Sequence, residues 1–252
     1  SSAASDVYKR QEIIFFWVAR MIVAGYEYRD EMPFKNVYFT GIVRDKQRRK
    51  MSKSLGNSPD PIELMKKYGA DGVRAGMLFS APAGNDLLFD EKLCEQGRNF
   101  SNKLWNAFRL IKTLEVTDEG KDQSLATDWI NSRFNEVLNE VEDHFSKYRI
   151  SDALLSLYTF IWDDFCSWYL EIIKDNSISD ETYKGTLGVL DKILRTLHPF
   201  MPFITEELWN QIDDDRDYIM LSDYPAPEKF DHSLNNDFKK IFEIVTGLRT
   251  VS

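Results

Sequence analysis

The chain has 252 residues, 43% of them hydrophobic and 13% aromatic, enough apolar surface to offset ordering entropy, which excludes a disordered chain and allows one large domain or two small ones. Its formal net charge of −9 predicts a soluble protein and, taken alone, argues against a nucleic-acid partner. The two cysteines, Cys94 and Cys166, lie inside apolar helical patterns with no neighbour at metal-ligand spacing; they exclude a disulfide framework and predict a reducing, cytoplasmic setting.

Residues 1–11 show no helical or strand period and read as a disordered end or a foreign junction, without the basic start and apolar block of a signal peptide. Ile13–Tyr26 follows as a strongly apolar helix; its core is interrupted by Arg20 and too short to span a bilayer, so no membrane partner is expected. Asn36–Ile42, rich in Val, Tyr, Phe and Thr after Pro33, reads as a short strand. It runs into a loop, Arg44–Lys53, in which six of ten residues are Lys or Arg. Asp60 and Pro61 then supply a cap acceptor and a first-turn proline for a helix that stops at Gly69. A second short helix runs to about Phe79, and Ser80–Asn85 is a loop.

After Asp90 the pattern becomes helical, with no convincing strand. Segments near Glu91–Leu114, Leu125–Phe145, Tyr183–Leu197 and Phe203–Ile212 are amphipathic, Pro199 and Pro202 break the chain between the last two, and Asn236–Val251 forms a further helix. The clearest run is Ile150, Ala153, Leu154, Leu157, Tyr158, Ile161, Trp162, Phe165, Trp168, Tyr169, Ile172 and Ile173, whose alternating steps of three and four put every large side chain on one face. Its aromatic stripe reads as bundle core rather than a base-stacking surface. The organisation is an α/β piece, then an all-α bundle, with a boundary near residue 90.

The most informative stretch is Lys50-Met51-Ser52-Lys53-Ser54, followed by Leu55-Gly56-Asn57. It resembles the phosphate-handling loop of the class I aminoacyl-tRNA synthetases. Within that family, Ile14–Met21, Thr40–Asp45 and Phe165–Glu171 look like segments of the valine-specific members, while His198–Trp209 is shared with the isoleucine and leucine branches. The resemblance covers roughly Glu12–Ser252 and implies the closing half of a class I, Rossmann-type nucleotide fold over residues 12–90. A helical stem-contact and anticodon-binding domain follows over 91–252.

The chemistry it implies is activation of valine by ATP and transfer to tRNA(Val). Displacing pyrophosphate moves negative charge onto the β- and γ-phosphates, and two lysines on a loop can follow that charge and bind it best at the transition state. Lys50 and Lys53 are the implied catalytic pair, with Met51, Ser52 and Ser54 beside the ATP and Mg2+ as the counter-ion of the nucleotide. Gly56 permits a tight backbone. By the same resemblance Trp17 would pack against the valine side chain, and Glu12 would stand where an acid holds the ATP ribose. The competing readings are a solvated basic loop and a core tryptophan. Arg48 departs from the family, which commonly has glycine two positions before the first lysine; a turn needing positive φ there would strain it by about 1 kcal/mol or more.

Along Glu91–Leu114, Leu93, Phe100, Leu104, Phe108 and Ile111 share one side, and Arg98, Asn102, Trp105, Arg109 and Lys112 the other. A basic stripe with one aromatic suits a sugar–phosphate backbone, so Arg98, Trp105, Arg109 and Lys112 are candidate tRNA contacts. The competing reading packs Trp105 against the α/β piece. None of the three histidines, His144, His198 and His232, sits in the His-x-Gly-His string that completes the family's ATP site, so the isolated chain, expected to be monomeric, is expected to be inactive. Alternatives are a non-catalytic tRNA-binding module and an isoleucine- or leucine-specific enzyme; no Gly-x4-Gly-Lys-Ser/Thr string occurs, which excludes a P-loop ATPase.

Overall fold

A computed structural model describes residues 6–10, 14–80, 86–174, 177–213 and 215–251. Strand β1 (Asp6–Arg10) pairs in parallel with β2 (Asn36–Thr40), register Asp6↔Asn36 to Arg10↔Thr40. A parallel pair needs a crossover, and a π-helical turn, Ile14–Val18, followed by α1 (Ala19–Arg29) provides it. The expectation of an unstructured opening is therefore corrected over residues 6–10. A strand this polar carries little alternation and is specified by its partner 30 positions later. Val18 and Phe34 form the small core of this unit, leaving Phe16, Trp17, Val23 and Tyr26 more than half exposed.

A second parallel pair, β3 (Val43–Arg44) with β4 (Leu87–Leu88), brackets the basic loop and two helices. Helix α2 (Pro61–Tyr68) starts as its sequence predicts, with the Asp60 carboxylate accepting from the Ile62 amide and Pro61 in the first turn. It gives way at Gly69 to α3 (Ala70–Phe79). The expected loop Ser80–Asn85 falls, beyond Ser80, outside the described residues.

Helix α4 (Glu91–Lys112) is capped by Asp90 and lies across α3 at very short range. A Cβ on Gly76 would stand 2.6 Å from the Cys94 amide nitrogen, and one on Gly97 2.4 Å from the Gly72 carbonyl oxygen. Only glycine allows that approach.

The bundle continues with α5 (Ser124–Ser146), α6 (Ile150–Thr159), α7 (Leu170–Lys174), α8 (Asp180–Leu197), α9 (Pro202–Ile212) and α10 (His232–Val251). Two sequence expectations change here. Strand β5 (Val116–Lys121) interrupts the all-α half, bridging Ile178 through residues 116 and 121. The long helix from Ile150 keeps its path but widens to π geometry over Phe160–Tyr169. At that pitch residues five apart share a face. Phe160, Phe165 and Leu170 accordingly point into the core, as does Ile161, with Cys166 all but buried, and the Leu170 amide bonds the Phe165 carbonyl. The buried Tyr169 hydroxyl is satisfied by Thr186, 2.7 Å, and Thr127, 3.2 Å. Trp162 and Trp168 are partly buried against the same cluster, as expected of a core stripe.

One core runs from Ala75 and Phe100 through Phe134, Leu154 and Ile193 to Ile219. Each fully buried Leu, Ile or Phe contributes about 1.5–3 kcal/mol relative to exposure, so most of the stability resides in the bundle. Both cysteines are free and buried. Among the described residues no helix is long and apolar enough to cross a membrane.

The corner between α8 and α9 is held from outside the bundle. Asp71 on α3 accepts from the Ile204 amide at 2.6 Å and the Phe203 amide at 3.3 Å, at the amide end of α9. One turn on, Arg74 donates to the Phe200 and Pro199 carbonyls at 3.2 and 3.0 Å, just past the carbonyl end of α8. An acid at a helix N-terminus and a base at a C-terminus both oppose the local dipole charge. Burial pushes the Asp71 carboxyl up, against these amides and the Arg74 charge, which pull it down. Within the corner, Thr205 gives its hydroxyl proton to the Met201 carbonyl, 2.8 Å, and so accepts from His198 Nδ1, 2.7 Å. Burial lowers the His198 pKa and so favours the neutral ring, which makes this bond as the Nδ1–H tautomer.

Candidate functional site

The basic loop is a short hairpin. The Met51 amide donates to the Val43 carbonyl at 3.0 Å, and Arg44 bridges Lys50 in antiparallel fashion. The chain reverses at Asp45–Arg49, closed by Asp45 N–H to Arg49 C=O, 2.9 Å, and Arg48 N–H to Asp45 C=O, 2.8 Å. Arg48 sits at φ 62°, in the left-handed region, so the strain expected at this departure from glycine is present. Gly56 (φ 64°) supplies the other tight bend.

Asp45 is the organising residue, and the sequence reading gave it no role. Its Oδ1 accepts from the Gln47 and Arg49 amides at 3.0 and 2.9 Å; its Oδ2 accepts from Arg49 Nε at 2.8 Å and Asn57 Nδ2 at 3.0 Å. The bond from Asn57, then the bonds and charge of Arg49, hold its carboxyl down to about 2 against the opposing effect of burial. Asn57 also donates to the Lys50 carbonyl at 3.2 Å and accepts from the Ser52 amide at 2.9 Å. It thereby fixes the backbone on both sides of Met51.

Three of the loop's cations are engaged in building it. Arg49 pairs with Asp45, Arg44 with Asp86, and Lys46 lies 3.6 Å from Asp90. Asp86 also accepts from the Ile42 amide, 3.0 Å; its bond from Arg44, then this one, lower its pKa. Lys50 is exposed beyond this framework. Lys53 opens a 3-10 turn, Lys53–Leu55; its side chain lies outside the described residues. The Ser52 and Ser54 hydroxyls face each other at 3.1 Å, and Met51 is half-buried. The hairpin therefore presents hydroxyls and at least one ammonium on a backbone fixed from inside, an arrangement able to bind anionic oxygens.

Glu12 lies outside the described residues. Trp17 is 57% exposed on the open face preceding α1, so the competing expectation of a core tryptophan does not hold within this chain. On α4, Phe100, Leu104, Phe108 and Ile111 are buried as expected, and Leu93 is half-buried. The opposite stripe is less uniform than its wheel. Arg98 turns onto the Tyr68 ring, 5.7 Å, and towards the Lys67 carbonyl, 3.5 Å, while its Nε is buried without a partner. It lines a cavity of about 350 Å³ with Lys67, Asn102 and Ser101. Trp105 is partly buried against the main core, 6.5 Å from the Phe108 ring, so it is not a fully exposed aromatic. Arg109 and Lys112 are exposed, Lys112 donating to the Gln211 carbonyl at 3.4 Å.

Residues 2–90 match the family described as tRNA synthetases class I (I, L, M and V), and residues 127–252 the anticodon-binding domain of tRNA ligase. The chain is similar to the valine–tRNA ligases of Phocaeicola vulgatus, 56% identical over 254 residues, and Christiangramia forsetii, 53% identical over 255. Each match covers 98% of this chain and 29% of the relative, so the chain spans less than a third of their length. Its fold is like that of an Agrobacterium radiobacter K84 LeuRS solved in a ternary complex with tRNA and LeuAMS, with TM-score 0.68 and 19% identity, over 91% of this chain and 29% of that one. A Mycobacterium tuberculosis methionyl-tRNA synthetase bound by methionyl-adenylate gives 0.62 and 21%, over 89% and 48%.

Proposed function

Because this chain belongs to the class I tRNA ligase family, with the anticodon-binding domain of a tRNA ligase as its second half, we propose that it is part of a valine–tRNA ligase. In the complete protein, valine would attack the α-phosphorus of ATP, breaking the bond to pyrophosphate and giving valyl-adenylate. The valyl group would then pass to tRNA(Val). Residues 12–90 would form the closing part of the catalytic domain, and 91–252 the stem-contact and anticodon-binding part.

The observation that carries this reading is the hairpin ending at Lys50-Met51-Ser52-Lys53-Ser54, its backbone fixed by Asp45 and Asn57 and its Lys50 side chain exposed. Lys50 and Lys53 would meet the charge that grows on the departing pyrophosphate, with the Ser52 and Ser54 hydroxyls beside it. Magnesium would accompany ATP as the counter-ion of its phosphates. Trp17, exposed here, would line the valine pocket against residues that this chain does not include. Arg109 and Lys112 remain the best-placed tRNA contacts on α4, and Arg98 would reach RNA only from its half-exposed position beside Tyr68. The protein is read as cytoplasmic and monomeric.

ATP–pyrophosphate exchange by the protein encoded by the full reading frame tests the proposal. Valine should support exchange well above isoleucine or leucine, and Lys50→Ala or Lys53→Ala should lower kcat by about 10²–10³. Exchange driven best by another amino acid would reassign the substrate, and exchange indifferent to both lysines would remove the chemical argument. The 252-residue chain alone should show none.

A further inference from the structure

The carboxylate of Asp45 and the amide of Asn57 tie the backbone at 47, 49, 50 and 52 together; Asp45 is buried and Asn57 half-buried, whereas Lys50 is exposed. We propose that this acid–amide pair is a positioning device for the proposed ATP chemistry: it sets the attitude of the lysine-bearing segment without touching the nucleotide. The chemical half of this inference rests on the reading of function given above, whereas the clamp itself rests on geometry alone.

The orientation of Asn57 is fully determined. Its Oδ1 must face the Ser52 amide, a donor, and its Nδ2 must face two acceptors, the Lys50 carbonyl and Asp45 Oδ2. Rotating the amide by half a turn would set donor against donor and acceptor against acceptor. Asp45, accepting from four donors, has the matching requirement of an ionised carboxylate with both oxygens unprotonated. The turn it closes holds Arg48 at φ 62°, a conformation that an L residue keeps only when its surroundings enforce it. Releasing the clamp therefore frees a strained turn as well as two hydrogen-bonded strands.

These requirements define a swap experiment in the protein from the full reading frame. Asp45→Asn sets an amide donor against the Asn57 donor; Asn57→Asp sets two carboxylates 3.0 Å apart. In the exchanged pair, Asp45→Asn with Asn57→Asp, residue 45 keeps an acceptor for the Gln47 and Arg49 amides and gains a donor for residue 57, but the Lys50 carbonyl then faces a carboxylate oxygen and Arg49 Nε faces an amide nitrogen. Two readouts are needed. Trypsin cleavage after Arg48, Arg49 and Lys50, located by mass spectrometry, reports the clamp. Exchange kinetics, with kcat separated from the valine KM, report positioning.

Each single variant should speed cleavage and lower kcat by about tenfold or more, as expected for losing hydrogen bonds to a charged group. The valine KM should hold, and the exchanged pair, which removes the carboxylate–carboxylate contact but leaves the Lys50 carbonyl and Arg49 Nε mismatched, should be less impaired than Asn57→Asp in both readouts. Unchanged cleavage in both single variants would overturn the clamp. Faster cleavage with unchanged kcat, or an exchanged pair no better than Asn57→Asp, would overturn the positioning role. Wild-type protein without exchange would overturn the functional reading, and cleavage would then decide the clamp by itself.

Discussion

Replacing Gly76 by alanine tests whether the contact between α3 and α4 is as close as the backbone geometry implies. The new Cβ would lie 2.6 Å from the Cys94 nitrogen and 2.7 Å from the Leu93 carbonyl carbon, both backbone atoms that cannot swing aside. The helices must part by roughly 0.8 Å to bring 2.6 Å up to the 3.4 Å at which ordinary contact begins. A gap of that size forfeits about a quarter to a half of each dispersion interaction; a buried side chain makes about 40–60 of them, each of about 0.1–0.2 kcal/mol. For about 50 interactions of about 0.15 kcal/mol, one residue's worth of loosened packing is then about 2–4 kcal/mol. Alanine's helix propensity returns about 1 kcal/mol, leaving a net loss of about 1–3 kcal/mol. Gly188 on α8 is the control, because nothing lies within 4 Å of its Cβ position. There the same substitution should stabilise by about 0.5–1 kcal/mol. Urea denaturation should place the two midpoints on opposite sides of wild type, Gly76→Ala lower by about 0.5–1.5 M at a slope of about 2 kcal/mol/M. Two shifts of the same sign would refute the close-approach argument.

Arg48→Gly should relieve the left-handed turn and raise stability by about 0.5 kcal/mol or more; slower hydrogen exchange across Arg44–Met51 would show it, and faster exchange would mean that the arginine side chain holds the turn. Because Asp45 titrates near 2 in the folded chain against 3.8 for an ordinary aspartate, its contribution is complete above about pH 4 and is lost only as pH falls through about 2. An NMR titration of its carboxyl carbon with a midpoint at 4 would contradict the clamp geometry. Burial pushes the Cys166 thiol up to about 12 and raises Cys94 as well, so neither should react with a thiol reagent at pH 8 unless the chain is unfolded. Removing both Arg109 and Lys112 should weaken tRNA binding by the full-length protein and flatten its salt dependence, by about 0.9 in the logarithmic slope for each phosphate left without its cation; an unchanged slope would take α4 out of the interface.

The sequence was most readable where structure depends on neighbours in the chain. Asp60 and Pro61 announce α2, the alternation of threes and fours announces the long helix after Arg149, and the missing glycine announces the strained turn at Arg48. It was least readable where partners are distant. Nothing in Val-Thr-Asp-Glu-Gly-Lys signals a strand, because its bridges run to Ile178, more than fifty positions away. The π geometry leaves the polarity pattern unchanged while shifting which residues face inward. The loop stood out by its lysines and serines. Its internal support was not: Asp45 and Asn57 are twelve residues apart, and their types are common in any polar loop. For Arg98 and Trp105 a helical wheel was too coarse, since it sorts residues by angle and cannot show that Tyr68 and the main core reach round to meet them.

Helix α3 follows the hairpin and α2 in the chain. With Asp71 it grips the start of one bundle helix, and with Arg74 the finish of another. A hinge at that corner would have to break the bonds of Asp71 and Arg74 together, since both stand on one face of α3. Tilting the α8–α9 corner must then drag α3 along with it. An acid and a base on α3 thus join the α/β piece to the bundle at one corner.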